Sequence, residues 1–184
     1  DIYVCCYVFL FLMTLVSSFL FFFFLLMILR PPRSTLDRSS AASDVYKRQV
    51  YFAAFGRQVF AGLIGEDQTT WMQRALTDHN NCLAALRWAL TEEQGEIAIS
   101  LAGSLWWFWY RRGLFTLGQK MLQAALQLST PDLSARATAL NGLASIHLAH
   151  DDYAASLACH QEGLALRRQM GDAAGTEVVL HNMG

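Results

Sequence analysis

The chain has 184 residues, 54% of them hydrophobic and 16% charged, and its 14 Lys+Arg against 15 Asp+Glu leave a formal net charge of −1. That balance excludes nucleic-acid binding driven by bulk electrostatics. Four cysteines, of which only Cys5 and Cys6 are neighbours, exclude a disulfide framework or a zinc ribbon and agree with a reducing, cytoplasmic compartment.

The first element, Ile2 to Leu29, is almost wholly apolar, contains Phe21-Phe22-Phe23-Phe24, and is followed by Arg30, Arg33 and Arg38. It exceeds the roughly 20 residues that cross a bilayer, so at face value it is a membrane anchor. Back-translation suggests another origin. One reading frame of the transposase adapter used in short-read library preparation encodes Ser39-Ser40-Ala41-Ala42-Ser43-Asp44-Val45-Tyr46-Lys47-Arg48-Gln49 codon for codon. Arg30-Pro31-Pro32-Arg33-Ser34-Thr35 follows the same frame of that adapter's flow-cell end, and Leu36-Asp37-Arg38 fills the place of the index. The expectation is that residues 1–49 are adapter read-through, with 50–184 a fragment truncated at both ends. Such segments are set aside in reading a fold. Residues 1–49 carry five of the basic and three of the acidic residues, so 50–184 keeps nine and twelve, a net charge of −3.

From Val50 onward apolar residues recur at spacings of three and four, and only Pro131 interrupts as a proline, which predicts an all-α segment. A short helix near Val50 to Phe60 ends at Gly62 to Gly65. Asp67 to Thr70 offer N-cap chemistry for a second, Trp71 to Glu93, which Gly95 closes as a left-handed cap. Glu96 to Arg112 makes a third, with Arg111 and Arg112 favourable in its last turn and Gly113 after it. The fourth spans Phe115 to Leu128. Thr130 and Pro131 are expected to cap a fifth, Leu133 to His150, and Asp151-Asp152 turns into a sixth, Tyr153 to Met170. After Gly171-Asp172 another helix begins at Ala173.

These helices repeat. Phe115, Ala125, Leu126 and Leu128 return 38 residues later as Tyr153, Gly163, Leu164 and Leu166, and Gly142-Leu143-Ala144 is followed 40 residues on by Asn182-Met183-Gly184. Small residues at Ala144, Ser156 and Gly163 are expected to let helices pack closely. A fixed period of this length predicts antiparallel helix pairs stacked as a tetratricopeptide-like solenoid.

Asp78-His79-Asn80-Asn81-Cys82-Leu83-Ala84-Ala85-Leu86-Arg87-Trp88, preceded by Trp71, resembles the Glu-His-Asp-Asn-Leu-Arg-Ala-Ala-Leu-Arg-Trp signature of the C-terminal helical repeats of bacterial multidomain signalling ATPases. Leu101-Ala102-Gly103-Ser104-Leu105-Trp106, with Trp109, Arg112 and Gly113, is similar to the second helix of those repeats, and His150-Asp151-Asp152-Tyr153 to a tetratricopeptide turn. Cys82 and Leu83 depart from the pattern, which places leucine and arginine there, so the outer face of that helix is expected to differ. The resemblance implies an interaction or effector-sensing scaffold that follows a P-loop ATPase and is often joined to a LuxR-type or antibiotic-regulatory transcription factor. The partner would be a protein or peptide, or upstream domains of the same chain. The alternative is a free-standing adaptor, membrane-anchored if Ile2 to Leu29 is genuine.

Chemistry is sparse. Gly113 to Lys120 has two glycines at P-loop spacing, but Gln119 separates Gly118 from Lys120 and no strand precedes them, so an inter-helix turn is the reading and no nucleotide cofactor is expected. His147, His150, Cys159 and His160 lie on one hairpin but point in different directions around their helices, so no metal is expected. Arg111, Arg112, Arg167 and Arg168 read as helix-end cations. No nucleophile, base and orienting group fall together, and no enzyme is expected from this segment. Five consecutive rings, Trp106 to Tyr110, wrap fully around a helix and cannot all face one core. Trp106 and Trp109 match the buried positions of the repeats that the chain resembles, so Trp107, Phe108 and Tyr110 point elsewhere: into a neighbouring repeat or an upstream domain, which is the simpler reading, or toward a partner, as the candidate interaction surface.

Overall fold

The structure, a computed structural model, describes residues 35–183. Among them it forms seven helices and no strand: α1 (Thr35–Ile64), α2 (Gln68–Thr91), α3 (Gly95–Arg111), α4 (Phe115–Leu126), α5 (Leu133–Ala149), α6 (Tyr153–Met170) and α7 (Ala173–Met183). Asp44–Gly184 forms one compact unit. No helix among the described residues is long and apolar enough to cross a membrane. The apolar stretch Ile2 to Leu29, and the membrane reading attached to it, lies outside the described residues.

Amphipathic spacing explains which helix faces turn inward. In α4 the buried residues are Gly118, Met121, Leu122, Ala125 and Leu126, steps of three and four that draw one stripe along the helix. In α6 the stripe is Ser156, His160, Gly163 and Leu164, small and polar rather than bulky. Ser156 and Gly163, with Ala144 on α5, are all buried, as their size suggests. Helix α3 has no such polarity: 13 of its 17 residues are buried. A helix apolar all round needs neighbours on every side. It finds them in α2, α4 and α5 along its length, and in the C-terminal part of α1 through Gly56 against Leu101 and Arg57 against Ser100.

The helix ends correct the predicted ones in chemistry more than in position. Glu93 (φ 52°) takes the left-handed turn expected of Gly95, which instead opens α3. Asp67 sits at the N-cap of α2 without a side-chain capping bond. Asp132, not Thr130, caps α5, its carboxylate accepting the Ala135 N–H at 2.9 Å, while Thr130 Oγ1 accepts the Asp132 N–H. The reason is reach: an N-cap side chain must meet the N–H of the second or third helical residue, and Pro131 still lies outside the helix. Asp152 does the same for α6 and Asp172 for α7. Gly171 closes α6 in the left-handed conformation, as its position before Asp172 implies. Asp172 also accepts from Arg167 at 2.6 Å, and these bonds to Gly175 and Arg167 hold its carboxyl below the usual range.

Helix α1 extends well upstream of the predicted start near Val50. Between Arg33 and Gly56 there is neither proline nor glycine, and an Asp44–Lys47 pair one turn apart at 3.5 Å adds local support. Helix propensity of this kind is a property of residue types, whatever the origin of their codons. Cys82 and Leu83 are both buried, so the departures from the resemblance signature fall in the core and not on the outer face. Burial, with Asp78 nearby, pushes the Cys82 thiol up to about 12, which leaves it protonated and unreactive at neutral pH.

The α3–α5 contact has almost no spare volume. A Cβ on Gly142 would run into Cβ and the indole of Trp106. Overpacking of this sort costs about 1–3 kcal/mol. Gly142→Ala is therefore expected to lower stability by that amount in urea denaturation; an unchanged midpoint would show that Trp106 moves aside freely.

Candidate functional site

The five-ring run on α3 divides in a way that sequence could only partly anticipate. Trp106 and Trp109 are buried, and so is Phe108, which is 1% exposed and lies against His79 on α2 with centroids 5.0 Å apart. Phe108 therefore leaves the candidate surface: the step from 105 to 108 and 109 keeps it on the core face. Trp107 and Tyr110 remain half-buried and stack on each other at 5.6 Å with 4° between their planes. Tyr110 continues edge-on to Phe115 of α4, and Phe115 to His150 at the end of α5. Arg111 sits 5.9 Å from the Trp107 ring. The arrangement joins the ends of α3, α4 and α5 by packing, and the Trp107 indole N–H is buried without an acceptor among the described residues.

The other singled-out groups are used structurally. Gly113 (φ 67°) forms the α3–α4 turn, and Gly118 lies inside α4 against Trp109 and Ile146, so this stretch offers no cradle of free N–H groups. His147 faces Asp152 at 3.3 Å, His150 meets Phe115, and His160 is buried. Among the described residues no three metal-ligating groups come together. Of the helix-end arginines, Arg167 pairs with Asp172 and Arg111 lies beside Trp107.

Sequence reasoning missed the feature with the most open chemistry, a groove of about 280 Å³ where α1, α3 and the start of α5 meet. Arg57 and Phe60 come from α1, Ser100, Gly103 and Ser104 from α3, and Asp132, Ser134, Ala135 and Thr138 from α5 and its cap. All follow Val50. A second hollow of about 210 Å³ shares Arg57, Ser100 and Asp132 and adds Glu96 and Gln94, so the two run together. Gly103 keeps the floor low, because its bare Cα lets the Ala135 carbonyl and Ala139 approach. Arg57 Nη1 donates to Ser100 Oγ at 2.9 Å and has no carboxylate within ion-pair distance among the described residues. Ser104 and Thr138, both in the lining, donate to the carbonyls one turn back, Ser100 and Ser134, so their oxygens are left as acceptors. A signal existed in sequence: Ser100 and Ser104 are hydroxyls one turn apart in an otherwise apolar helix.

Fold and groove together define an all-helical protein with a polar crevice between alternate helices. The chain matches no protein family, no curated protein and no solved structure.

One contact in the core is sensitive to pH. Trp109, fully buried, donates its indole N–H to His79 Nε2 at 3.1 Å, which requires an unprotonated acceptor there. Burial lowers the His79 pKa, and that of His160 likewise. Unfolded histidine titrates near 6.5, so the stability is fully present above that pH. It is lost as pH falls below 6.5 and through the lower native value, where the folded state must accept a buried charge. The melting temperature is expected to drop between pH 7.5 and 5. His79→Gln, which keeps an acceptor for Trp109, should flatten part of that drop and leave the His160 share; an unchanged slope would remove His79 from the account.

Proposed function

We propose that 50–184 is a tetratricopeptide-like interaction scaffold, and that its groove binds an extended peptide segment of a partner protein or of upstream domains of its own parent chain. One observation carries the reading. Helices α1, α3 and α5 each pack on the next of the series, through Gly56 with Leu101 and through Gly103 with Ala139, and the series continues in the Asn182–Asn141 bond from α7 to α5. Helix α2 packs beside α3, α4 beside both α3 and α5, and α6 beside both α5 and α7. Stacked helix pairs would make this series the inner wall of a solenoid, and inner walls of that kind present extended binding surfaces. The 38-residue recurrence supports the same arrangement.

The resemblance in the α2 and α3 sequences supports a parent of the bacterial signalling ATPase or transcription-regulator kind, cytoplasmic, with any ATPase upstream. Binding rather than catalysis suits the groove, since its Ser104 and Thr138 hydroxyls donate to helix carbonyls and are committed there. Nothing in its charge favours nucleic acid.

Two experiments test this. Panning a random peptide library on the protein is expected to enrich peptides that compete for one site and fail to bind Thr138→Trp, whose indole fills the groove, with helicity retained by circular dichroism. No enrichment, or equal binding to that variant, would sink the proposal. On the same reading residues 30–49 are translated adapter. Amplification of the locus from its source DNA is expected to depart from this chain upstream of Val50; genomic codons for Ser39 to Gln49 would refute it.

A further inference from the structure

Donors and acceptors are unevenly shared around the groove, and that inequality specifies an occupant. Arg57 supplies the charged donors. One Nη1 proton goes to Ser100, and the edge formed by Nε and Nη2 carries no partner among the described residues. That edge is the fork that matches a carboxylate with two parallel hydrogen bonds. The rest of the lining is rich in acceptors. The Ser104 and Thr138 oxygens have spent their protons on helix carbonyls. Asp132 has one carboxylate oxygen on the Ala135 N–H and the other uncommitted among the described residues.

A ligand filling this space must bring an acceptor to Arg57 and donors to the rest of the lining. We infer that the groove reads an acidic side chain, glutamate or aspartate, of an extended peptide, with the carboxylate on Arg57 and the adjoining backbone N–H groups toward Asp132 and Thr138. Phe60 gives the methylene stem an apolar wall. A phosphate dianion fits worse than a singly charged carboxylate, because among the described residues Arg57 is the one cation lining the two hollows and Asp132 and Glu96 add negative charge to their lining. The inference rests on the peptide-binding proposal above and adds the residue that selects the sequence.

The test uses the full 184-residue chain and fluorescence anisotropy with labelled hexapeptide pools whose central residue is fixed as Glu, Gln or Lys. The Glu pool is expected to bind about tenfold more tightly than the Gln pool, the size of one charge-assisted pair. Arg57→Gln, which keeps a donor for Ser100 and whose folding is checked by circular dichroism, should erase that preference, and Arg57→Glu should shift it to the Lys pool. Equal binding of the Glu and Gln pools, both blocked by Thr138→Trp, would overturn the inference and leave the peptide proposal standing. Failure of every pool to bind would take both down. A Glu preference retained in Arg57→Gln would overturn the assignment to Arg57, and free glutamate binding as tightly as the Glu pool would overturn the peptide in favour of a small acid.

Discussion

Burial of α3 on all sides is the constraint from which the rest of the fold follows. A helix with 13 of 17 residues out of water leaves almost no face for solvent, so α1, α2, α4 and α5 are obliged to surround it. Close approach is what makes that possible. Gly142 accommodates the Trp106 ring, Gly103 admits the backbone of α5, and an added methyl at either place would push the helices apart. The large side chains Trp109, Phe108, Leu101 and Leu105 then fill the space between, each nearly or wholly excluded from water.

Polar groups inside this arrangement are few; several are bonded, while His160 Nδ1 has no partner among the described residues. Trp109 reaches His79, Ser104 returns its proton to Ser100, and the acidic residues before α5, α6 and α7 cap their helices. The indole N–H groups of Trp106 and Trp107 have no acceptor among the described residues, each a cost of about 1–3 kcal/mol that the ring packing must offset.

The groove is the complement of the same constraint. Ser100 and Ser104 are the hydroxyls on the buried length of α3, and they mark the strip where α1 and α5 do not close over it. Arg57 stands at that strip with a single neutral partner. On the proposed reading, a guanidinium held by one hydroxyl and paired with no carboxylate among the described residues is left able to meet a bidentate acceptor.

Much of the fold was legible in the chain itself. The three-and-four spacing of apolar residues and the breakers at Gly113, Asp151-Asp152 and Gly171 locate α4, α6 and α7 closely, because helix period and turn chemistry act over a few residues. Local signals were less able to choose between adjacent residues with similar chemistry. Asp132 rather than Thr130 caps α5, and Glu93 rather than Gly95 takes the left-handed turn, since the final turn geometry depends on where the next helix must start. The start of α1 was also misjudged, because no breaker marks it. Among the rings, periodicity rightly buried Trp106 and Trp109 but did not separate Phe108 from Trp107 and Tyr110, which needed the position of His79 on α2. The sequence by itself determined that the segment is helical and roughly where each helix turns. Only the tertiary structure decided which ring faces the core and that Arg57, Ser100 and Thr138 share one crevice, because those residues are far apart along the chain and meet through packing alone.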